Sequence, residues 1–259
     1  MADFAEKIKP LSQINLLELT GYGLTEVPPG IEQLSKLHQL NLSGNQLTNL
    51  PAATEQLVQL KELDLSNNTF QKLPEFIGSL PALERLDLSR NPALNLAQAL
   101  SVLSRAKTLH YLTLRENNFT RIPEEVTKLS NLVKLELGNN PDLDLPHLLQ
   151  SLTSLPSLNM LELSHLRLTS LPQEISLLQQ LSGLNLSDNP TIDPESLYQQ
   201  LSRLPQLKVL LLTRCGLSTL PKKFHLLHKL EVLELRGNQI PKGEQERIKK
   251  LLPNATIVF

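Results

Sequence analysis

The sequence predicts an α/β solenoid, a curved horseshoe with a parallel β-sheet on its concave face and short helices, 3-10 turns and loops on its convex face. Three observations predict it. Ten segments begin at Ile14, Leu37, Leu60, Leu83, Leu109, Leu132, Leu158, Leu181, Leu207 and Leu230, spaced by 23 or 26 residues, and a period of about 20–29 residues marks a stacked array. Each segment opens with leucines alternating at period two, so each starts with a short strand that has one buried face. Aromatic residues make up 3% and Trp is absent, so the core is filled by layers of equivalent medium-sized side chains.

The stretch from Leu60 to Leu83 states the repeat in full: Leu60, Leu63, Leu65, Asn68, Phe70, Leu73-Pro74, Ile77 and Leu80, then Leu83, where the pattern restarts. Written out, it is LxxLxLxxNx(L/F)xxLPxxIxxLxx. The alternating leucines point inward and the residues between them outward. Successive strands pair in parallel about 4.7–4.9 Å apart. The bulkier side opposite the strands bends the stack, leaving the strands on its inner wall.

Taken in order, residues 1–13 form a half-repeat, since Phe4, Ile8 and Leu11 fall one period before Val27, Ile31 and Leu34. Asp3 is expected to head a short helix that caps the open end of the first layer, the alternative being a truncated array whose earlier repeats were lost. Residues 14–240 are the ten repeats. The Asn after each strand has both an amide donor and a carbonyl acceptor for the backbone of the turn. Asn45, Asn68, Asn91, Asn117, Asn140, Asn189 and Asn238 are expected to form that ladder, and Tyr22, Leu166 and Cys215 depart from it. The longer repeats carry Asn91-Pro92, Asn140-Pro141 and Asn189-Pro190, which lie 49 residues apart. A two-repeat unit therefore multiplied. In them the LPxxI segment gives way to Leu96–Leu103, Leu145–Leu152 and Asp193–Leu201, whose apolar spacing predicts short helices beside tighter turns elsewhere. Residues 241–259 form a C-terminal cap, with Ile248, Leu251 and Leu252 on one helical face and Ala255, Ile257 and Phe259 alternating like a last strand.

The chain resembles leucine-rich-repeat proteins over nearly all of residues 4–259. The pairs Leu50-Pro51, Leu73-Pro74, Ile122-Pro123, Leu171-Pro172 and Leu220-Pro221 resemble the LPxxI class of bacterial proteins and of intracellular Ras-group-related scaffolds. The resemblance implies a curved, non-enzymatic platform for a protein partner, often cytoplasmic. It transfers no particular partner.

Composition narrows the function. With 25 basic and 26 acidic residues, no overall field favours nucleic acid or a membrane surface. The single cysteine, Cys215, permits no intrachain disulfide and points to a reducing, cytoplasmic setting. No export signal or membrane-spanning run is visible. No hydrolase elbow, phosphate loop or zinc motif occurs, so no catalytic residue, metal or cofactor is expected. Cys215 reads as a structural thiol in the ladder, and His225 and His228 as part of a basic patch. Sequons such as Asn41-Leu42-Ser43 arise from the repeat text itself.

The candidate surface is the set of outward strand residues. The column between the two strand leucines reads Glu18, Asn41, Asp64, Asp87, Thr113, Glu136, Glu162, Asn185, Leu211 and Glu234. Its acidic members would favour a basic partner, or they are solvated fillers paired with Arg85, Arg90, Arg115 and Lys134. Val209, Leu211 and Val232 form an apolar cluster on adjacent strands, with Met160 two strands from the nearest of them. Tyr111 suits an anchor between Arg85 and Lys134. The expected function is a monomeric, non-enzymatic signalling scaffold that binds a basic or partly apolar protein on the concave face. The alternative is a sensor module of a larger signalling enzyme or receptor.

Overall fold

The computed structural model describes residues 13–259. The half-repeat expected over 1–13 lies outside the described residues, apart from position 13. The chain divides into two compact units, Met1–Asn117 with Ile122–Leu132, and Asn118–Arg121 with Val133–Phe259. Stacked arrays divide this way because each repeat touches mainly its neighbours.

The first unit holds β1 (Leu16–Glu18), β2 (Gln39–Asn41), β3 (Glu62–Asp64), β4 (Arg85–Asp87) and β5 (Tyr111–Thr113). The second holds β6 (Lys134–Glu136), β7 (Met160–Glu162), β8 (Gly183–Asn185), β9 (Val209–Leu211), β10 (Val232–Glu234) and β11 (Thr256–Val258). Within each unit the strands pair in sequence order and in parallel, and equivalent repeat positions stand opposite one another, as in Gln39 with Glu62 and Val209 with Val232. The central leucine of every strand from Leu40 to Leu233 is at most 2% exposed. The core is thus a column of leucines behind each sheet.

Opposite the strands, the LPxxI segments tighten into 3-10 turns such as Ala52–Gln56, Glu75–Ser79, Glu124–Lys128, Gln173–Leu177 and Lys222–Leu226, each starting after its proline. Proline fixes φ and lacks the N–H that a turn's first residue would leave unpaired. The long repeats make α-helices instead: α1 (Leu96–Leu103), α2 (Leu145–Leu152) and α3 (Pro194–Leu201). Each is capped by a side chain, Asn95 accepting from Gln98 N, Asp144 from His147 N and Asp193 from Ser196 N. These are the segments that the helical spacing predicts, with Asp193 serving as cap.

The asparagine ladder forms in both units. Asn91 Oδ1 accepts from Phe70 N, and its Nδ2 donates to the carbonyls of Leu65, Leu88 and Ser89. Two of the departures share a place in the array. After a short repeat, the ladder Oδ1 accepts the N–H two residues past the previous ladder position, as Asn45 does from Leu24 and Asn68 from Leu47. Leu166 and Cys215 each follow a long repeat, although at the remaining junction of that kind Asn117 keeps the ladder, its Oδ1 accepting from Asn91 N at 2.6 Å. Cys215 still serves the donor half, its Sγ lying 3.3 Å from Leu186 O, and burial pushes its thiol pKa up. A protonated, buried thiol is a poor nucleophile.

One core position breaks the pattern. The LPxxI site holds Ile31, Ile77, Val126, Ile175 and Phe224, all buried, but Thr54 in the second repeat, at 0% exposure with its Oγ1 unpaired. An unsatisfied buried hydroxyl costs about 1–3 kcal/mol. Thr54→Val keeps the shape and removes the hydroxyl, so we expect it to raise stability by about 1 kcal/mol. A urea midpoint equal to or below that of the natural chain would refute this account of Thr54.

At the C-terminal end, α4 (Lys242–Leu251) buries Ile248, Leu252 packs beside it, and β11 pairs with β10. Arg247 fastens α4 to the preceding turn, donating to Leu220 O and Thr219 Oγ1 while pairing with Glu244. That hydrogen bond holds the Glu244 carboxyl down to about 2. These elements occupy the segment expected to act as a cap.

Candidate functional site

Strand geometry sorts the outward residues into columns. Residues two apart on a strand share a face, so each strand presents its first and third residues away from the leucine core. In the second unit the first-residue column runs Lys134, Met160, Gly183, Val209, Val232 and Thr256, and the third runs Glu136, Glu162, Asn185, Leu211, Glu234 and Val258.

The third column has a local job. Asp64 Oδ1 accepts from Ser66 N, Asp87 Oδ1 from Ser89 N, Asn41 Oδ1 from Ser43 N and Asn185 Oδ1 from Ser187 N. Each cap satisfies the N–H two residues on, where the strand ends. The Asn-Leu-Ser and Asp-Leu-Ser triplets of the sequence record that cap. The acidic column is therefore partly a row of backbone acceptors.

The capping changes how two of the expected outward carboxylates stand. Glu162 is 4% exposed, with Oε2 accepting from Gly138 N and Oε1 from Ser164 N. Gly138 makes room, since a Cβ there would meet both Glu162 oxygens at 2.7 Å. Glu234 is 7% exposed and accepts from Arg236 through N, Nε and Nη2. Both residues were expected to face solvent; the reason for the difference is that each carboxylate closes the end of its own strand. Glu136 is half-buried and pairs with Lys134 Nζ at 2.6 Å. In the first unit, Glu18 is exposed and Asp64 and Asp87 are half-buried.

Tyr111 is half-buried, and the Arg85 guanidinium lies over its ring, 3.7 Å from the centroid. Arg85 also faces Glu62 at 3.5 Å. Arg90 turns from the acidic column to Glu116, bound through two nitrogens at 2.8 and 3.0 Å. Beside that pair a polar groove of about 330 Å³ is lined by Ser66, Asp87, Ser89, Arg90 and Arg115 among others.

The apolar cluster is more continuous than the sequence indicates. Val209, Leu211 and Val232 are half-buried on adjacent strands, and Met160 is 38% exposed. The strand between Met160 and Val209 contributes Gly183, which leaves no side chain in the column. Met160 fills the space: a Cβ on Gly183 would lie 3.4 Å from Met160 Cγ and 3.6 Å from its Cε. Apolar surface thus runs from Met160 across Gly183 to Val209 and Val232, with Leu211 alongside. The signal available in the sequence was the glycine at an outward strand position.

The rim at the C-terminal ends of these strands was not anticipated. Arg214 pairs with Asp188 through Nε and Nη2, with His165 Nδ1 3.5 Å from the same carboxylate. Hydrogen bonding to these carboxylates raises the pKa of both Arg214 and Arg236, and Arg236 holds Glu234 below the usual carboxylate range.

Among the described residues, no group of three or more His, Cys, Asp or Glu is placed to hold a metal ion, and no helix is long and apolar enough to cross a membrane.

A family description, leucine-rich repeat region, matches residues 4–110. A comparison with curated proteins finds no match. Among solved structures, the internalin InlF of Listeria monocytogenes is 23% identical, with 99% of this chain and 87% of that one covered at a TM-score of 0.56. Internalin C2 of the same organism is 25% identical over 79% of this chain and 84% of that one, with a TM-score of 0.57. The leucine-rich repeat domain of the type III effector XopL is 23% identical over 99% and 80%, with a TM-score of 0.51. The repeat frame, its parallel strands, its asparagine ladder and these likenesses agree on one fold: the chain has the leucine-rich-repeat fold, and residues 4–110 match a leucine-rich repeat region.

Proposed function

We propose that the chain is a non-enzymatic protein-interaction scaffold whose partner docks on the exposed sheet face of the second unit. The observation that carries this is the apolar surface from Met160 across Gly183 to Val209, Leu211 and Val232, set on a sheet whose neighbouring columns are polar. Contiguous apolar surface of this kind favours a macromolecular contact. The leucine-rich-repeat fold is typical of protein–protein interaction modules, which supports the class of function. A rigid stack also presents these side chains in fixed register, so little conformational entropy is lost on docking. The protonated buried thiol of Cys215 suits a reducing, cytoplasmic setting.

The test is affinity capture from the source lysate by the natural chain and by a Val209→Ser, Leu211→Ser, Val232→Ser variant whose thermal melt shows it folded. We expect the variant to lose the captured protein by tenfold or more, roughly the effect of removing a hot-spot cluster. Equal capture by both would move the contact to another surface. Acidic residues in the first unit, Glu18, Asp64 and Asp87, with Tyr111 beside them, are the next surface to test.

A further inference from the structure

We propose that this same face takes a partner segment carrying carboxylates beside an apolar anchor. The inference rests on reading the face as the binding surface, and it adds the partner's chemistry. The sequence places Glu234 next to Leu211, and the register confirms them as cross-strand neighbours. From that text a basic partner follows. Side-chain packing covers that carboxylate and leaves arginine at the surface.

Arg236 folds back over Glu234, with Nε and Nη2 each 2.8 Å from a carboxylate oxygen. The Arg236 side chain is 66% exposed while the Glu234 side chain it pairs with is 9% exposed. Arg214 repeats the arrangement on the neighbouring strand, 63% exposed above Asp188 at 14%. The two strand ends adjoin, since Arg214 N donates to Arg236 O at 2.9 Å. Gly237 keeps them close, because a Cβ there would meet Arg214 Cγ at 2.6 Å. Each guanidinium has five N–H donors in a planar fork, and the bonds to Glu234 and Asp188 use only its Nε and Nη2 side. Those bonds leave the Nη1 edge of each fork out of the pairing, and the two arginines follow the strands that carry Leu211 and Glu234.

The first and third columns around the patch add no competing exposed carboxylate: Glu162 is buried, and Glu136 is paired with Lys134 at 2.6 Å. A docking segment therefore meets an apolar strip bordered by two exposed arginines. Charge complementarity selects Asp or Glu side chains next to a Leu, Ile or Phe. A lysine-rich segment would face guanidinium in place of carboxylate.

The experiment is a selection from a random linear peptide-display library with the full chain as bait, followed by anisotropy titration of the most enriched peptide. We expect enriched sequences to carry Asp or Glu adjacent to a large apolar residue. Binding of that peptide should fall about five- to tenfold in Arg236→Gln and in Arg214→Gln, and weaken as salt rises. Glu234→Gln keeps a neutral oxygen for Arg236 while removing the charge beneath it. It should strengthen the acidic peptide about two- to threefold, whereas an acidic stripe would predict loss. Enriched peptides that are basic or neutral, yet lost on Leu211→Ser, would overturn the acidic partner and leave the face standing. Peptides indifferent to Leu211→Ser would overturn both. A library that yields no enriched sequence would also overturn the proposal.

Discussion

Asn91→Ala is expected to destabilise the chain by about 3–5 kcal/mol, among the largest effects of any single truncation here. The side chain is small and almost none of the cost is lost apolar area. Asn91 is 0% exposed, and it answers three backbone carbonyls with Nδ2 and one N–H, that of Phe70, with Oδ1. Alanine leaves those groups buried without partners, at about 1–3 kcal/mol each before relaxation. Relaxation is limited because Leu65 O and Phe70 N belong to the preceding repeat and Leu88 O to its own, so no local rotation satisfies all of them. Asn91→Asp should not rescue: it keeps the acceptor, loses the donors and buries a charge. The exposed Asn49 supplies the control, with Asn49→Ala within about 0.5 kcal/mol. Urea midpoints of the three variants decide it. If Asn91→Ala and Asn49→Ala cost alike, the ladder is dispensable and leucine packing alone sets the turn.

The ladder also marks how far the sequence carries. Strand positions, the three long-repeat helices and the 3-10 turns follow from leucine and proline spacing because each is a local consequence of periodicity, repeated until chance is excluded. The apolar cluster Val209, Leu211 and Val232 was legible for the same reason. What was not legible depends on how a side chain lies across its neighbour. Glu162 and Glu234 read as members of an outward column. Whether such a carboxylate faces solvent or closes its own strand end depends on the residues two positions on and one repeat back, here Ser164 with Gly138, and Arg236. Met160 reads as isolated until Gly183 is seen to leave its column empty. Arg214 and Arg236 carry no fixed repeat signature, since the Arg236 position elsewhere holds Thr, Ser, Gly or Arg115 and the Arg214 position varies among Gly, Asn, Arg90, Glu116, His165 and Asp188.

Gly216→Ala is expected to cost about 3–4 kcal/mol, and two companion glycines separate the reasons. Gly216 has φ +66°, and an added Cβ would lie 2.4 Å from Pro190 O and 3.3 Å from Pro190 C. Two penalties therefore combine there, a left-handed backbone and a clash with backbone that cannot swing away. The left-handed conformation alone is tolerable, since Asn118 and Arg167 adopt φ 56° at the equivalent position of other repeats. Gly21 isolates it: φ is +74° and nothing lies within 4 Å of the added Cβ, so Gly21→Ala should cost only about 1 kcal/mol. Gly78 isolates the clash: its φ is not left-handed, but the Cβ would sit 2.3 Å from Val102 O in α1. Gly78→Ala should therefore cost about 2–3 kcal/mol. The expected order of urea midpoints is Gly21→Ala highest, Gly78→Ala next and Gly216→Ala lowest. A Gly216→Ala variant as stable as Gly21→Ala would mean that the Pro190 loop yields to the methyl group. In that case the loops of the long repeats are softer than their close approach to the following repeat implies, and the penalty at Gly216 reduces to backbone strain alone.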